Sequence, residues 1–230
     1  HASPRDIVFT SGATESNNLA IRGLAERRRR QGHHIVSVQT EHKAGLDPLA
    51  RLSRRDFPVT MLAVAPHGCE RAGRVDVDQL ADALSDDTFL VSVMLANNEI
   101  GVVQPLAEIG ALCRERGVTL HTDATQAVGR VRVDVQELQV DLLSLSAHKF
   151  YGPKGIGALF VRRGDGRVRL SSQLDGGGQE RGLRSGTLNV PAIVGMARAW
   201  ELCAEEMDGE SARLAALRNR LFDALCQSMP

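Results

Sequence analysis

Apolar positions in this chain come in short unbroken runs, separated by stretches in which they recur every three to four residues. The runs at 7–10, 34–38, 59–64, 89–95, 118–121, 141–145 and 156–161 predict strands. Helical spacing covers 13–30, a segment after Ala44, 77–84 and a segment that follows Pro105 and stops at Gly117. Proline suits a first helical turn and glycine a helix end. Unbroken runs belong to strands covered on both faces. The expected fold class is therefore α/β: a mostly parallel central sheet flanked by helices in three α/β/α layers, with the last strand returning along the sheet. A long helix starts near Pro191 and sets Leu214, Leu217, Leu221 and Leu225 on one face. This divides the chain into a sheet domain at 1–190 and a helix at 191–230. The Gly-, Ser- and Arg-rich stretch 164–178 is the one weak seam.

Composition narrows the function classes. The formal net charge of zero gives no argument for bulk nucleic-acid binding. No stretch approaches the roughly 20 apolar residues of a membrane span. Cys69, Cys113, Cys203 and Cys226 lack metal-ligand spacing, and three of them fall in helical patterns. Thiols of this kind suit a reducing cytoplasm. The run from Arg27 to Arg30 is the one basic cluster, and reads either as a solvated helix end or as a patch for a phosphate or partner.

The informative residue is a lysine. Lys43, Lys149 and Lys154 are the three lysines among 28 basic residues, so surface charge is carried by arginine. Lys149 follows a core strand in Ser146-Ala147-His148-Lys149, where an amine can condense with an aldehyde. Asp123 ends another apolar strand, and a carboxylate there needs a partner. A protonated pyridine nitrogen or one of the arginines would serve. Lysine with a strand-end aspartate is the pairing that pyridoxal phosphate chemistry requires. Gln126, one turn on, can reach the same ligand.

Other segments admit two readings each. Ser11 to Asn18 opens a helix after a strand. Its first-turn amides and the Thr14 hydroxyl suit an anion, and Ser11 or Thr14 equally suits a plain helix cap. The spacing is neither a Walker loop nor G-x-G-x-x-G. Asn97-Asn98-Glu99-Ile100-Gly101 stands where open α/β sheets bind ligands, and also fits a turn that satisfies its own backbone. His42 follows a strand and is either structural or a ring-stacking, proton-moving group. His148, beside Lys149, suits a phosphate contact. Gly176 to Thr187 is an anion-binding loop or a flexible linker.

Taken in order, five motifs resemble the cysteine desulfurases of the class V aminotransferase family, which are fold-type I pyridoxal phosphate enzymes. They are Thr40-Glu41-His42-Lys43-Ala44, Asn97-Asn98-Glu99-Ile100-Gly101-Val102-Val103-Gln104, Asp123-Ala124-Thr125-Gln126, the stretch from Ser146 to Gly155, and Arg184-Ser185-Gly186-Thr187. The resemblance spans essentially the whole chain and is nearest to the nitrogen-fixation and iron–sulfur-cluster type. It implies that Lys149 binds the cofactor covalently and that Lys154 is a loop lysine. It pairs Asp123 with the pyridine nitrogen and brings Gln126 and Asn98 to the ring oxygen. His42 stacks on the ring, Ala13, Thr14, Ser146 and His148 line the phosphate, and Thr187 reaches the cofactor of a second copy in a homodimer. The implied reaction removes sulfur from L-cysteine, leaves alanine, and passes sulfur through an enzyme thiolate to an acceptor or iron–sulfur scaffold protein.

One feature of the family is not found. The sulfur-accepting cysteine belongs on a mobile loop of a C-terminal small domain, and no such loop precedes Pro230. The four cysteines read as structural, and the chain as a cofactor-binding large domain lacking its N-terminal segment and small domain. Weak or no sulfur transfer is expected of it alone. Two rival functions stand beside this one: another class V reaction such as selenocysteine lyase or transaminase, and a non-catalytic dimerising or partner-binding module.

Overall fold

The computed structural model describes residues 1–28, 32–164 and 168–229 and gathers seven strands into one sheet. In chain order the elements are β1 (Ile7–Thr10), α1 (Ala13–Arg28), β2 (His34–Val38), α2 (Lys43–Ser53), β3 (Val59–Leu62), α3 (Val77–Ala83), β4 (Thr88–Ser92), α4 (Leu106–Glu115), β5 (Thr119–Asp123), β6 (Leu142–Ser146), β7 (Gly157–Val161) and α5 (Val190–Ser228). The sheet order is β1-β7-β6-β5-β4-β2-β3. β2, β3, β4, β5 and β6 run parallel, and β7 is antiparallel to both neighbours. The expected return of the last strand is that antiparallel β7.

Alternate residues of one strand feed opposite cores. Ile35, Leu90, Leu142 and Leu159 pack with Leu19 and Leu24 of α1 and Leu49 of α2. Their neighbours Val36, Val91, Leu143 and Phe160 pack with Leu80 of α3, Ile109 of α4 and Met196 of α5. Both faces are thus covered, which is why the strands read as unbroken apolar runs. Burying a Leu or Ile side chain contributes about 1.5–3 kcal/mol, so the two cores dominate the stability.

Several boundaries differ from the sequence expectation. β4 stops at Ser92, yet the Val93 and Leu95 amides still donate to the His121 and Asp123 carbonyls, so the chain continues along β5. β3 stops at Leu62, and Val64 instead bridges to Val75. Pro105 is the cap of α4 rather than its first-turn residue. The stretch 164–178 is not a loose seam: Val168 and Leu170 are buried against α1, and the Ser171 amide donates to the Gly23 carbonyl. Residues 165–167 lie outside the described residues. Within the arginine run, Arg27 is exposed at the end of α1, while Arg29, Arg30 and the Arg28 side chain lie outside them.

Nor is the loop from Gly176 to Thr187 a free linker. The Phe9 amide of β1 donates to Glu180 Oε2 at 2.8 Å, and Arg181 donates to the Ile7 carbonyl. Arg184 joins Glu15 of α1 at 2.9 Å. The loop therefore covers the open edge of β1, an edge that would otherwise present unpaired backbone groups.

Candidate functional site

Parallel strands bring their C-terminal ends to one side of the sheet, and the loops that follow them meet there. They enclose a cleft of about 480 Å³. Ala13, Thr14, His42, Asn98, Asp123, Gln126, Ser146, His148 and Lys149 all line it. Thr187, expected to serve a second copy's cofactor, is exposed and does not line it. Lys154, expected as a loop lysine, stands in the same cleft as Lys149.

Lys149 is presented by a one-turn 3-10 helix, Ala147–Phe150, and not by the strand tip itself. Phe150 is buried, which anchors the turn, while Lys149 is exposed to the cleft. Tyr151 closes the turn in the left-handed region at φ 67.

Close approach of glycines builds one end of the cleft. A Cβ on Gly157 would lie 2.5 Å from the Leu145 carbonyl and 2.7 Å from Gly12 Cα. With no side chain in the way, the start of α1 sits beside the end of β6. There the Ser146 hydroxyl and His148 Nδ1 are 3.0 Å apart. The capping reading of Ser11 and Thr14 is not what the structure uses. The Ser11 amide donates to Glu15 Oε2, and the Gly12 carbonyl opens the helical ladder by accepting from Ser16. Gly12, Ala13 and Thr14 line the cleft at a helix N-terminus, which favours an anion. Burial opposes charge on Glu15, but hydrogen bonds from Arg184 and Ser11 outweigh it and hold its carboxyl below the ordinary value.

Asp123 lines the same cleft and is only 4% exposed. Its Oδ2 accepts from Asn17 Nδ2 at 2.6 Å and its Oδ1 from the Thr125 amide at 2.9 Å. Among the described ion pairs none involves Asp123, so the arginine reading is not met. His121, two residues back on β5, is held between Ser92 Oγ at 2.9 Å and Ser144 Oγ at 3.1 Å. Burial pushes this imidazole below its ordinary 6.5 despite the pull of Asp123, so it is neutral at physiological pH and offers Asp123 no compensating charge.

His42 and Asn97 show how one residue serves two ends. His42 Nδ1 accepts from the Ala44 amide at 3.0 Å and caps α2, which leaves the proton on Nε2. The same ring lines the cleft. Asn97 satisfies its own turn through the Glu99 and Ile100 amides and ties the loop to the Thr40 carbonyl at 2.7 Å, while Asn98 faces the cleft.

Sequence reasoning missed Asn17, His121 and Glu41. All three are buried polar groups. Asn17 was passed over as part of a helix-start segment, His121 as part of a strand, and Glu41 as a letter in the His42 motif. Only His121, a polar ring inside the strand run 118–121, carried a signal in the sequence; Asn17 and Glu41 stand among polar neighbours and had none.

The cleft thus has an anion-receptive end, a buried carboxylate with no cation partner among the described ion pairs, and an amine. A group bearing a phosphate, an aldehyde and a protonated ring nitrogen satisfies all of these, and pyridoxal phosphate is such a group. The family model for aminotransferase class-V matches residues 1–228. The chain belongs to the class-V aminotransferase family. Enzymes of this family depend on pyridoxal phosphate. Cysteine desulfurase IscS of Salmonella paratyphi B is 55% identical over 224 residues, which is 97% of this chain and 54% of that protein. A solved NifS-like protein superposes with a TM-score of 0.92 at 40% identity, covering 98% of this chain and 60% of that one. The structure of SspA in complex with cysteine matches with a TM-score of 0.80 at 43% identity, covering 87% and 56%. The chain spans about half the length of the curated relatives it matches. None of its four cysteines lines the cleft: Cys113 and Cys203 are buried, and Cys69 and Cys226 are exposed elsewhere.

Proposed function

We propose that these residues form the cofactor-binding part, 1–190, of a pyridoxal-phosphate-dependent cysteine desulfurase that takes sulfur from L-cysteine and leaves alanine. The observation that carries the reading is the buried Asp123 carboxylate, without a cation partner among the described ion pairs, in one cleft with Lys149. Pyridoxal phosphate, when bound, supplies an electron sink that acidifies the substrate's α-carbon. Lys149 is the amine to hold the aldehyde and, once released, to move the proton at the α-carbon. Asp123 keeps the ring nitrogen protonated. The start of α1, with Ser146 and His148, receives the phosphate. His42 keeps Nε2 for proton traffic because Ala44 already uses Nδ1.

The sulfur-accepting thiol is assigned to a residue outside the cleft described, since none of the four cysteines reaches it. The reading further takes the protein as a cytoplasmic homodimer, with Thr187 serving the second copy, that delivers sulfur to an acceptor or iron–sulfur scaffold protein. The relatives named IscS and the complex of SspA with cysteine support the substrate.

The test is to supply L-cysteine and a thiol reductant to the whole protein as its gene encodes it, loaded with pyridoxal phosphate. Alanine and sulfide are expected in equal amounts. Cofactor uptake with no alanine release from cysteine would sink the desulfurase reading.

A further inference from the structure

We propose that Arg184 is a positioning residue for the cofactor phosphate, acting by cancelling the charge of Glu15 at the anion-receptive start of α1. This rests on the cofactor reading above. Glu15 is the acid in the first turn of α1 and lines the cleft with Gly12, Ala13 and Thr14. Asp123 lines the same cleft and is read to meet the ring nitrogen. A negative side chain in a first helical turn suits the helix dipole. It also repels a phosphate that the same helix end is read to receive. His42, His148, Lys149 and Lys154 line the cleft too, but none of them is among the described partners of Glu15.

Arg184 reaches Glu15 from the loop that covers β1, and does not itself line the cleft. Its Nε donates to Glu15 Oε1 at 2.9 Å and its Nη2 to Oε2 at 3.5 Å. Oε2 also accepts from the Ser11 amide at 2.8 Å. The carboxylate is thus pinned between the entry to α1 and the loop. The two side chains of the pair are only 22% and 18% exposed, so water screens their charges in part. Because Arg184 stays outside the cleft, its effect on a phosphate goes through Glu15. Paired, the two charges sum to zero, and the helix start is left to the phosphate. Unpaired, Glu15 opposes it. The pair is not the loop's sole tie, since Glu180 and Arg181 also hold the loop to β1. Loss of Arg184 therefore changes charge more than fold.

The test measures dissociation constants of pyridoxal phosphate and of pyridoxal, which lacks the phosphate, by visible absorbance of the whole protein. Arg184→Met should weaken pyridoxal phosphate binding about threefold to tenfold, the worth of one uncompensated charge at a partly exposed site, and leave pyridoxal binding unchanged. Arg184→Gln should match it and serves if the methionine variant unfolds. Arg184→Lys keeps the charge without the fork and should bind as wild type. Glu15→Gln should bind pyridoxal phosphate at least as tightly as wild type. The double variant Arg184→Met/Glu15→Gln should recover the loss, because no charge is left to oppose the phosphate. Mere bracing of the loop gives another pattern: both single variants weaken binding and the double is no better. That pattern, an equal loss for pyridoxal, or wild-type affinity in both Arg184→Met and Arg184→Gln would overturn the proposal. A wild-type protein that takes up neither compound would overturn the cofactor reading and this proposal together.

Discussion

The C-terminal ends of β4, β5 and β6 and the distal half of α5 break the rules of burial in opposite directions. In the first region His121 and Asp123 of β5, with Asn17 of α1 and Glu41 of the turn after β2, are polar and buried. On α5, Leu217, Leu221, Phe222 and Leu225 are apolar and exposed, while the proximal Ala192, Met196 and Cys203 are buried on the sheet. Buried polar groups persist because each is tied to a specific partner, and such ties fix positions to fractions of an ångström. Exposed apolar groups on a helix have no partner to fix them. The first region is where chemistry can be held, and the second adds little to the stability of the fold described.

Changes at the strand ends should therefore be felt far more than changes on distal α5. The largest effect is expected from Lys149→Ala, which removes the amine. The visible band of covalently held cofactor should vanish, and borohydride should fix no label. Asp123→Asn comes next. Breaking a buried charge pair is worth about 3–5 kcal/mol, so cofactor affinity should drop by two orders of magnitude or more. An Asp123→Asn protein that binds as tightly as wild type would break the contrast at its centre.

Gly157→Ala should lower unfolding free energy by about 1–3 kcal/mol, since its new methyl meets the Leu145 carbonyl and Gly12 Cα. Chemical denaturation of the cofactor-free protein measures it.

A smaller effect is read in pH. Glu41 has an ordinary value of 4.5 and is pushed up to about 8 in the fold. Between these values the folded protein keeps a proton that the unfolded chain has released. Stability from this group is thus greatest below about 4.5 and falls as pH rises toward 8, by up to about 1.4 kcal/mol per unit. His121 is shifted the other way, so its contribution rises with pH and is complete above its ordinary 6.5. Across 6.5 to 8 the Glu41 fall stands alone. Denaturation midpoints of the cofactor-free protein should decline over that window in wild type, and stay flatter in Glu41→Gln. The smallest effect is expected from Leu221→Ser on distal α5, within about 0.5 kcal/mol. A loss of several kcal/mol there would show that the exposed face is part of the core.

The apolar runs declared the layers, because a strand buried on both faces has no polar alternation to display. Lys149 and Asp123 stood out as letters too, a scarce lysine and a strand-end acid, and the fold brings both to one cleft. Strand ends were misjudged where hydrogen bonding continues past regular pairing, as at Val93 and Leu95. The loop from Gly176 to Thr187 looked free because its partners, Ile7, Phe9 and Glu15, lie far away in sequence.

What the chain determined by itself was the order of strands and helices and the residue types available for a cofactor, both of which are local properties. Only the tertiary structure decided that Asp123 meets no cation among the described ion pairs, that Asn17 donates to it, and that burial opposes charge on Glu41. Charge state depends on burial and on neighbours brought from distant segments, and neither is written in any one stretch of sequence.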